Sequence, residues 1–595
     1  MKKFIFLPAL ALLVASCSND SFVPAESGDT ETTETANKYL NISIMSPGGI
    51  GRAVDDDYQN GTDEENYINL IRFYFFDANG NPSQVVKQSS SQTYLSYIDW
   101  YPIDSDVTTP ESSTDHVEKI ANVTLGINMP AQNNGLPALV LAVINPPASV
   151  LALTGNPDLT TLRDNVADFL TDLTDSNFVM TNSVYAVTSS DATGVDIIDA
   201  TPITTENYSE TLDEALNNTT PLKIWVERVV AKAVLSIGID STTATANPEM
   251  TIYPLDTPNT VDGQSVQLYL NLLGWNITAT PNKSRLIKKI DASWGSGNNF
   301  DWISDEIFDN DQPWNFPGFH RSFWAINPPA TQFTYNYGAF NNNSTSEDNI
   351  QIADALSIAE GAYTYLQENA APADNVLSSV ANPTKLILPA QLVNEAGAPQ
   401  SIGRWANRYY LLDNMLDAVC NSLNLYQKTT TAGTTTYTQI TPTYLQIMTA
   451  QQLYGTTLPD DVAQYYCYAQ LSEGGEAITW YNGNTDTAVA LNKDQINKYI
   501  IDRIGQILVW KNGYTYYYVD IRHLGEEGAP GFEGIVRNHI YLINISSIAG
   551  LGTPVFNPNE VIYPTTPEED DQVLTAIVNI LQWRIVSQDY EIVWP

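Results

Sequence analysis

The sequence predicts a mainly β protein with two β-sandwich domains, a helical insertion in the second, and a further strand at the C-terminus. Short apolar runs separated by Gly-, Asn- and Pro-containing turns recur along the chain, as they do in sandwiches. The length of 595 residues favours more than one domain. The longest helical patterns, Arg408 to Leu423 and Asp494 to Arg503, fall late in the chain and predict the insertion.

The composition supports folded cores and a strongly acidic surface. Hydrophobic residues make up 43% of the chain and aromatic residues 10%, which is enough for cores of ordinary density. The chain has 27 Lys and Arg against 68 Asp and Glu, for a formal net charge of -41. Such a charge repels phosphate backbones and anionic lipid surfaces, so nucleic acid is excluded as a partner.

The N-terminus carries an export signal. Lys2 and Lys3 precede an apolar run, 4–14, which is too short to span a bilayer. The following Val14-Ala15-Ser16-Cys17 resembles the bacterial lipobox, in which Cys17 would be acylated. Residues 1–17 are therefore predicted to be a lipoprotein signal peptide, with membrane attachment through lipid. The alternative is an ordinary signal peptide with a chance cysteine.

A single strand is predicted between two stretches of loop composition. Residues 18–38 are rich in Ser, Thr and Glu, as in a tether. Leu40, Ile42 and Ile44 then alternate with polar residues, which is the period of a half-buried strand. A Gly-rich turn with Arg52 and Ala53 and an acidic loop follow, where a protease could gain access.

Two domains are predicted beyond this loop, over 53–221 and 222–557. The first holds apolar strands such as Asn69 to Phe76. Ile224 to Leu235 is a mainly apolar run that contains Glu227, Arg228 and Lys232, and it predicts one strand at the start of the second. Lys511-Asn512-Gly513 predicts a tight hairpin between strands ending at Trp510 and starting at Tyr514.

Residues 558–595 form a linker and a last strand. Several prolines and the acidic run Glu568 to Asp571 indicate an extended linker. Val573 to Trp594 then resumes as a β-branched and aromatic run. The strand could fold back on its own domain or reach another molecule. Its apolar content on both faces favours the second, although the buried face is left open.

The two ends and several internal segments resemble the fimbrillins of Bacteroidetes surface fimbriae, the type V pili, most closely the major subunit of the short fimbria. The resemblance extends from the lipobox to the C-terminus, while the middle, 240–503, does not align. The matching pieces are Cys17, Tyr39 to Met45, Gly51-Arg52-Ala53, Val226 to Ala233, Val536 to Tyr541 and Leu581 to Ser587.

The resemblance implies transthyretin-like sandwiches and a mechanism of assembly. An Arg-specific protease would cut between Arg52 and Ala53 and remove the propeptide 18–52 with the strand of Leu40, Ile42 and Ile44. The C-terminal strand of another copy would fill the groove by β-augmentation. The donor residues would be Leu574, Ile577, Val578, Ile580 and Trp583.

The function that the resemblance implies is a structural stalk subunit that supports adhesion and biofilm formation. Its partners would be other copies in a head-to-tail polymer, anchor and tip subunits, the protease and a transient outer-membrane lipid anchor. The mature chain would lie in a fimbrium at the cell surface. A cleavable Arg52 together with a donor strand favours a stalk subunit over a tip or accessory subunit.

Two other function classes compete with that of a fimbrial subunit. An enzyme is not expected, since no catalytic motif surrounds His116, His320, His523 or His539. No cofactor or metal is expected either, because the acidic loop at 55–57 fails the EF-hand template. The alternative function is a glycan-binding surface lipoprotein that uses Trp480 and Tyr481. Cys420 and Cys467 are read as separately buried thiols rather than a bridge.

Overall fold

The computed structural model describes residues 38–47, 61–87, 94–103, 105–109, 117–130, 135–171, 173, 177–188, 195–256, 259–290, 325–338, 349–350, 358, 361–369, 383–455, 457–459, 462–523, 534–557, 573–575 and 584–593. Strands predominate over helices in these residues, which confirms the mainly β fold.

Fifteen strands lie between Lys38 and Arg228 in the described residues: β1 (Lys38–Pro47), β2 (Ile71–Phe76), β3 (Val86–Lys87), β4 (Tyr94–Leu95), β5 (Tyr97–Trp100), β6 (Val107–Thr108), β7 (Val117–Ile127), β8 (Leu139–Ile144), β9 (Val166–Ala167), β10 (Met180–Asn182), β11 (Tyr185–Thr188), β12 (Val195–Ile198), β13 (Thr201–Pro202), β14 (Tyr208–Ser209) and β15 (Leu222–Arg228).

The strands from Val230 onward in the same description are β16 (Val230–Ile237), β17 (Thr242–Ala244), β18 (Asn247–Pro254), β19 (Asn259–Val261), β20 (Gln264–Val266), β21 (Tyr269–Leu272), β22 (Asn276–Thr278), β23 (Thr280–Pro281), β24 (Ser284–Arg285), β25 (Tyr335–Gly338), β26 (Asn349–Ile350), β27 (Tyr363–Gln367), β28 (Lys385–Val393), β29 (Ile402–Trp405), β30 (Arg408–Leu411), β31 (Tyr426–Thr431), β32 (Thr434–Gln439), β33 (Leu445–Thr449), β34 (Cys467–Leu471), β35 (Trp480–Tyr481), β36 (Ala490–Leu491), β37 (Leu508–Trp510), β38 (Tyr514–Asp520), β39 (His539–Ile548), β40 (Thr553–Pro554), β41 (Val573–Thr575) and β42 (Arg584–Val593).

The helices are short, and the longest of them, in the described residues, is capped at both ends. Asn492 and Gln495 form a capping box at the start of the longest, and Gly505 ends it with a φ of 72°. None in the described residues combines the length and apolarity needed to cross a bilayer. Their bounds are α1 (Ala148–Leu151), α2 (Leu159–Arg163), α3 (Leu212–Leu216), α4 (Leu412–Ser422), α5 (Ala450–Tyr454), α6 (Glu473–Glu476) and α7 (Lys493–Ile504), with 3-10 turns at Thr205–Asn207, Pro442–Tyr444 and Lys511–Gly513.

A ten-stranded sheet organises the first half of the chain. Its order is β5-β2-β8-β10-β15-β1-β7-β6, with β13 on β8 and β14 on β1. The apolar residues of these strands form one core, to which α2 and the segment 286–290 also contribute. Because β1 lies inside the order, the first described strand is a central strand of this sheet.

Two sheets form a sandwich in the second half. One has the order β27-β16-β39-β42-β41, and the other β17-β18-β21-β28-β38-β40 with β22 on β28. Both send side chains into a common core, including Leu235 and Tyr541 from the first sheet and Leu388 and Tyr517 from the second. Facing sheets with a shared apolar interior are the defining feature of a sandwich.

The apolar run from Ile224 to Leu235 is two strands, so the prediction of one strand was wrong. β15 pairs with β10 and β1 in the first sheet, whereas β16 pairs with β27 and β39 in the sandwich. The change of sheet falls at Val229 rather than before Leu222. Most residues of both strands are buried, so the sequence shows no alternation of apolar and polar residues that could mark the break between the strands.

The predicted hairpin at Lys511-Asn512-Gly513 is also wrong. β37 pairs with β29, whereas β38 pairs with β28 in another sheet, so the turn joins two sheets. Asn512 and Gly513 both have positive φ, 53° and 75°. A Cβ at Gly513 would lie 2.3 Å from the carbonyl oxygen of Leu392, so a side chain at 513 is excluded by this close approach.

The predicted insertion is a mixed α and β unit with its own core. α4 begins at Leu412, later than predicted, because 408–411 form β30. α4 and α7 pack on β33 and β34, and the four-stranded sheet β32-β31-β35-β36 lies beside them. Cys420 and Cys467 both belong to this core and are free thiols. Burial raises the pKa of Cys420 to about 12, with a smaller contribution from Asp417.

Candidate functional site

The strand predicted around Leu40 is confirmed as β1, and it is paired on both edges. β7 pairs with it antiparallel along its whole length, from Lys38↔Ile127 to Pro47↔Val117. On the other edge β15 pairs with it in parallel, Ile42↔Leu222 to Met45↔Trp225, and β14 covers its beginning. β1 therefore fills a slot between two strands that belong to the body of the domain.

The two faces of β1 have different environments. Leu40, Ile42 and Ile44 are fully buried in the core of the ten-stranded sheet. On the opposite face Ser43 Oγ donates to Asn122 Oδ1 at 2.9 Å, and Asn41 Nδ2 donates to the carbonyl of Asn218 at 3.3 Å. The burial of Leu40, Ile42 and Ile44 confirms the predicted apolar face, but the strand is not half-buried, because Tyr39, Ser43 and Met45 on the opposite face are buried too.

Loss of β1 would expose a groove that is costly in water. The three aliphatic side chains, at about 1.5–3 kcal/mol each, account for about 5–9 kcal/mol of burial. The facing edges of β7 and β15 would also be left with unpaired backbone groups, which cost free energy wherever water cannot reach them. Any occupant must therefore supply both a strand and alternating apolar side chains.

The other predicted processing residues lie outside the described residues. These are Cys17, Arg52 and Ala53. The chain is described again from Gly61, where Thr62 and Glu65 form a reciprocal turn. The Thr62 amide donates to Glu65 Oε2 at 2.8 Å, and the Glu65 amide donates to Thr62 Oγ1 at 3.2 Å.

The C-terminal strand pairs with its own domain in the isolated chain. β42 lies parallel to β39, from His539↔Arg584 to Ile548↔Ile592, and β41 pairs antiparallel with its end. Of the predicted donor residues, Leu574 lies in β41, while Ile577, Val578, Ile580 and Trp583 lie outside the described residues. The expectation that the strand leaves its own domain is thus not met in a single chain, and its use by a second copy stays a prediction.

Sequence reasoning missed a group of buried charges at the junction of the two domains. Lys232 Nζ lies 2.9 Å from Glu65 Oε1, and the Tyr365 hydroxyl donates to the same oxygen at 2.6 Å. Arg228 donates to the carbonyl of Glu65 at 3.0 Å and to the side chain of Asn66. The buried turn at 65–66 is thereby held to β15 and β16, the strands on either side of the break.

Opposing effects act on the pKa of Glu65. Burial alone would raise it, but the charges of Arg228 and Lys232 and the hydrogen bonds from Tyr365 and Lys232 hold it below its ordinary value of 4.5. Glu65 is therefore ionised at neutral pH. These partner groups lie more than 160 residues from Glu65 along the sequence. Lys232, for example, is 167 residues away.

A second buried group joins the domains through the segment that resembles fimbrillins near the C-terminus. Arg537 donates to Glu368 Oε2 at 2.8 Å and to the carbonyls of Leu286 and Arg285 at 2.9 and 2.7 Å. Lys288 Nζ lies 2.9 Å from Glu227 Oε2, and both side chains are almost fully buried. Burial raises the pKa of Glu227, although Lys288 and Arg537 oppose the shift.

These contacts give a physical role to two of the motifs quoted for the resemblance. Val226 to Ala233 supplies Glu227, Arg228 and Lys232, and Val536 to Tyr541 supplies Arg537. A charged residue inside an apolar run was the signal that could have found them, because such a charge is buried only when it is paired.

The described histidines and Trp480, which an enzyme or a glycan-binding protein could use, lie in structural positions. His523 and His539 are buried with ring centroids 4.9 Å apart, and His539 Nδ1 lies 2.7 Å from the carbonyl oxygen of Arg537. His116 and His320 lie outside the described residues. Trp480 is fully buried and its indole donates to Gly475 O at 2.8 Å, so its ring is not exposed as the alternative glycan-binding function would need. Tyr481 is half-buried.

Three solved structures illustrate what the chain resembles. A fimbrilin from Porphyromonas gingivalis W83 has 13% identity and a TM-score of 0.33, covering 94% of this chain and 99% of that one. A candidate cell adhesion protein from Parabacteroides distasonis ATCC 8503 has 14% identity and a TM-score of 0.30, covering 60% and 76%. A tip fimbrial protein from Porphyromonas gingivalis with C-terminal truncation has 10% identity and a TM-score of 0.24, covering 59% and 78%.

One family model matches the sequence, and the match covers the end of the chain. No curated protein matches the chain significantly. Residues 509–589 match the family model of the major fimbrial subunit protein type IV, fimbrillin, C-terminal. The match spans β38 and β39, the buried Arg537 and most of β42. The resemblance to fimbrillins is thereby confirmed for this part of the chain, whose residues 509–589 are similar to the C-terminal region of that family.

Proposed function

We propose that this protein is a structural stalk subunit of a bacterial surface fimbria that assembles by exchange of strands between copies. The observation that carries the proposal is the position of β1, a central and fully paired strand at the start of the described chain. A central strand that precedes the rest of the domain can leave only if the chain is cut after it. Arg52 lies five residues beyond the end of β1 at Pro47.

Maturation converts this strand into an open acceptor. The precursor is acylated on Cys17, held at the outer membrane and cut between Arg52 and Ala53. The cut separates β1 from the domain, and the groove between β7 and β15 then receives the C-terminal strand of another copy. Because donor and acceptor lie on different surfaces of one chain, the contact is heterologous and repeats without closing. The product is a filament at the cell surface.

The fimbrillin match supports the fimbrial role, while the groove supports the assembly mechanism. A donor strand restores the hydrogen bonds of both edges and the apolar contacts of Leu40, Ile42 and Ile44. Partners of this protein are accordingly copies of itself, anchor and tip subunits and an Arg-specific protease. Adhesion and biofilm formation follow from the filament rather than from a site on the subunit.

The decisive experiment uses variants at the two basic residues between Cys17 and the first domain. Arg52→Ala should remain lipid-anchored and monomeric, and mass spectrometry should show no chain that starts at Ala53. Arg52→Lys separates an Arg-specific protease, which would fail, from a trypsin-like one, which would still cut. Lys38→Ala is the matched control, because cleavage at 38 would leave β1 in place, and it should be processed normally.

Acylated Cys17 at the N-terminus of chains within the polymer would rule out this maturation. Normal filaments from Arg52→Ala, seen by electron microscopy, would rule out the strand-removal mechanism.

A further inference from the structure

A pocket with an unusual share of basic residues lies beside the domain junction. It has a volume of about 300 Å³ and is bounded by α2, the residues after β12 and the segment 285–290. Four of the chain's 27 basic residues line it, in a protein that has 68 acidic residues. The charged lining residues of this basic pocket are Arg163, Asp164, Asp199, Arg285, Lys288 and Lys289.

Two of the four cations are neutralised by described partners. Arg163 forms a bidentate pair with Asp199, with N–O distances of 2.5 and 2.8 Å. Lys288 is paired with the buried Glu227 at 2.9 Å. Their charges are therefore largely accounted for.

The other two cations have no carboxylate within ion-pair distance in the described part of the chain. Arg285 is only 6% exposed, and its guanidinium donates to the carbonyls of Ile326 and Arg163 at 3.2 and 3.5 Å. Lys289 is exposed at the mouth of the pocket. Burial lowers the pKa of Arg285, and the charges of Asp164 and Glu368, which form no ion pair with it, oppose that shift only in part. An anion in the pocket would oppose the shift further.

The pocket is connected to the β1 slot through Glu227. Trp225 pairs with Met45 at the far end of β1, and Glu227 follows Trp225 by two residues along β15. Lys288 pairs with that same Glu227. At about 3.3 Å per residue along a strand, Glu227 and the Lys288 ammonium paired with it lie a short distance beyond the Met45 end of the slot.

The chain contains a carboxylate ligand placed beside the donor strand. Glu568, Glu569, Asp570 and Asp571 are consecutive, and β41 begins at Val573. In a chain with net charge -41, most of the surface repels such a run, and a pocket in which two cations lack a direct ion pair is a site that attracts it. Arginine also suits carboxylates because its fork can donate two parallel hydrogen bonds.

We propose that the basic pocket binds the carboxylates of the run Glu568 to Asp571 from a neighbouring copy, and that this contact fixes the direction in which the donor strand enters the slot. The inference rests on the proposed function and adds a second contact to it. Since the acidic run precedes the strand, Val573 must lie at the Met45 end. The donor strand then runs opposite to β1, parallel to β7 and antiparallel to β15.

Peptide binding to the full chain tests the pocket alone. The chain carries Glu568→Gln, Glu569→Gln, Asp570→Asn and Asp571→Asn, so that its own run does not compete. The probe is a labelled synthetic peptide of residues 564–572, compared with the same peptide carrying the four neutral residues. We expect the acidic peptide to bind at least tenfold more tightly, as measured by fluorescence anisotropy at low salt.

Variants of the pocket give the residue assignment. Arg285→Gln should abolish binding, and the exposed Lys289→Gln, which does not disturb the fold, should weaken it several-fold. Lys283→Gln is the matched control, because Lys283 is exposed, close in sequence and not a lining residue. Equal binding of the neutral peptide, or unchanged binding to both pocket variants, would overturn the proposal.

Cross-linking in assembled filaments distinguishes the source of the carboxylates. A zero-length carbodiimide should join Lys289 to 568–571 between isotopically distinct subunits, whereas links within one chain only would overturn the role in trans. The two proposals fail separately. If filaments form by strand exchange but the peptide does not bind, only the proposal for the pocket is wrong. If the peptide binds but filaments still form without Val573–Pro595, only the proposal of strand exchange is wrong.

Discussion

Ile42 lies in the middle of β1 with its side chain fully buried in the core of the first sheet. Ile42→Ala removes three carbons from this core and leaves a cavity, so the free energy of unfolding of the uncleaved precursor should fall by about 2–4 kcal/mol. The proposed cleavage at Arg52 would remove β1, so the same substitution should not change the stability of the cleaved subunit. Denaturant unfolding of a soluble Cys17→Ala precursor, before and after cleavage, measures both effects.

Asn41→Ala is the matched control for Ile42, since Asn41 lies on the opposite face with a single hydrogen bond to Asn218. It should cost less than about 1.5 kcal/mol in the precursor. Equal destabilisation of precursor and mature chains by Ile42→Ala would mean that β1 stays in the mature subunit.

Glu65 makes the stability of the junction depend on pH. Its pKa in the folded chain is below 4.5, so its contribution is complete above that pH and is lost as the pH falls through the depressed value. Glu65→Gln should lower the free energy of unfolding by about 3 kcal/mol at pH 7, the cost of breaking a buried ion pair. The difference from the native chain should shrink steadily below pH 4.5.

The neighbouring Glu64 is exposed and supplies the control. Glu64→Gln should leave stability within about 0.5 kcal/mol of the native chain at every pH. A Glu65→Gln defect that persists undiminished in acid would show that the loss is one of packing rather than of charge.

Single residues also show where sequence reasoning fails. The alternation of Leu40, Ile42 and Ile44 predicted the buried face of β1, because burial in a strand follows a period of two. Glu65 could not be predicted as buried, since an isolated glutamate in an acidic loop is normally solvated. Only the fold brings Lys232 and Tyr365 to it. Because these partners lie far away along the sequence, no local sequence pattern indicates that Glu65 is buried.

At the scale of elements, β41 and β42 are an addition to the edge of a sheet. Removing Val573–Pro595 leaves β27, β16 and β39 paired as before, because β42 contacts only one edge of β39. We therefore expect this truncation to give a folded, processed and soluble subunit that does not polymerise. Size-exclusion chromatography and electron microscopy measure the outcome.

Removal of only Trp594 and Pro595, which follow β42, should leave assembly intact and serves as the control for the truncation. Filaments formed by the longer truncation would make the tail no more than the last strand of its own domain.

Engineered cysteines can distinguish the two locations of the C-terminal strand. Leu542 and Ser587 face each other on β39 and β42, so a cysteine pair there should form an internal disulfide in the isolated chain. Cysteines at Asn122, on β7, and at successive positions from 574 to 583 should instead give ladders in the filament. Cys420 and Cys467 are buried and should not interfere. Ladders absent at every position would contradict exchange between copies.

Elements were predicted well where their faces differ and poorly where they do not. α7 has one buried and one polar face, and β1 alternates Leu40, Ile42 and Ile44 with Asn41 and Ser43, so the period gave both their type and their position. Most residues on either side of Val229 are buried, and neither half of the run shows an alternation that would indicate which sheet it joins. The turn at Lys511–Gly513 has hairpin composition, yet its strands pair elsewhere. Pairing across such distances is set by the whole domain.

The whole molecule is acidic enough to influence its own association. Cleavage removes four basic and five acidic residues, so 23 basic and 63 acidic residues remain and the charge changes only from -41 to -40. Subunits of the same charge repel over the Debye length, about 30 Å at 0.01 M salt and about 8 Å at 0.15 M. Light scattering should therefore show faster filament growth at the higher salt concentration. A slower rate would show that local attraction dominates the encounter.

The pairing of β42 with β39 has a consequence for the kinetics of growth. A strand that is already engaged in its own subunit must be released before another copy can capture it, and release is a unimolecular event. The elongation rate should therefore rise with subunit concentration only at first and then reach a plateau set by that release. Release of the strand would therefore limit the rate of growth, and a substitution that weakens the parallel pairing along β39 would raise both the plateau and the initial slope.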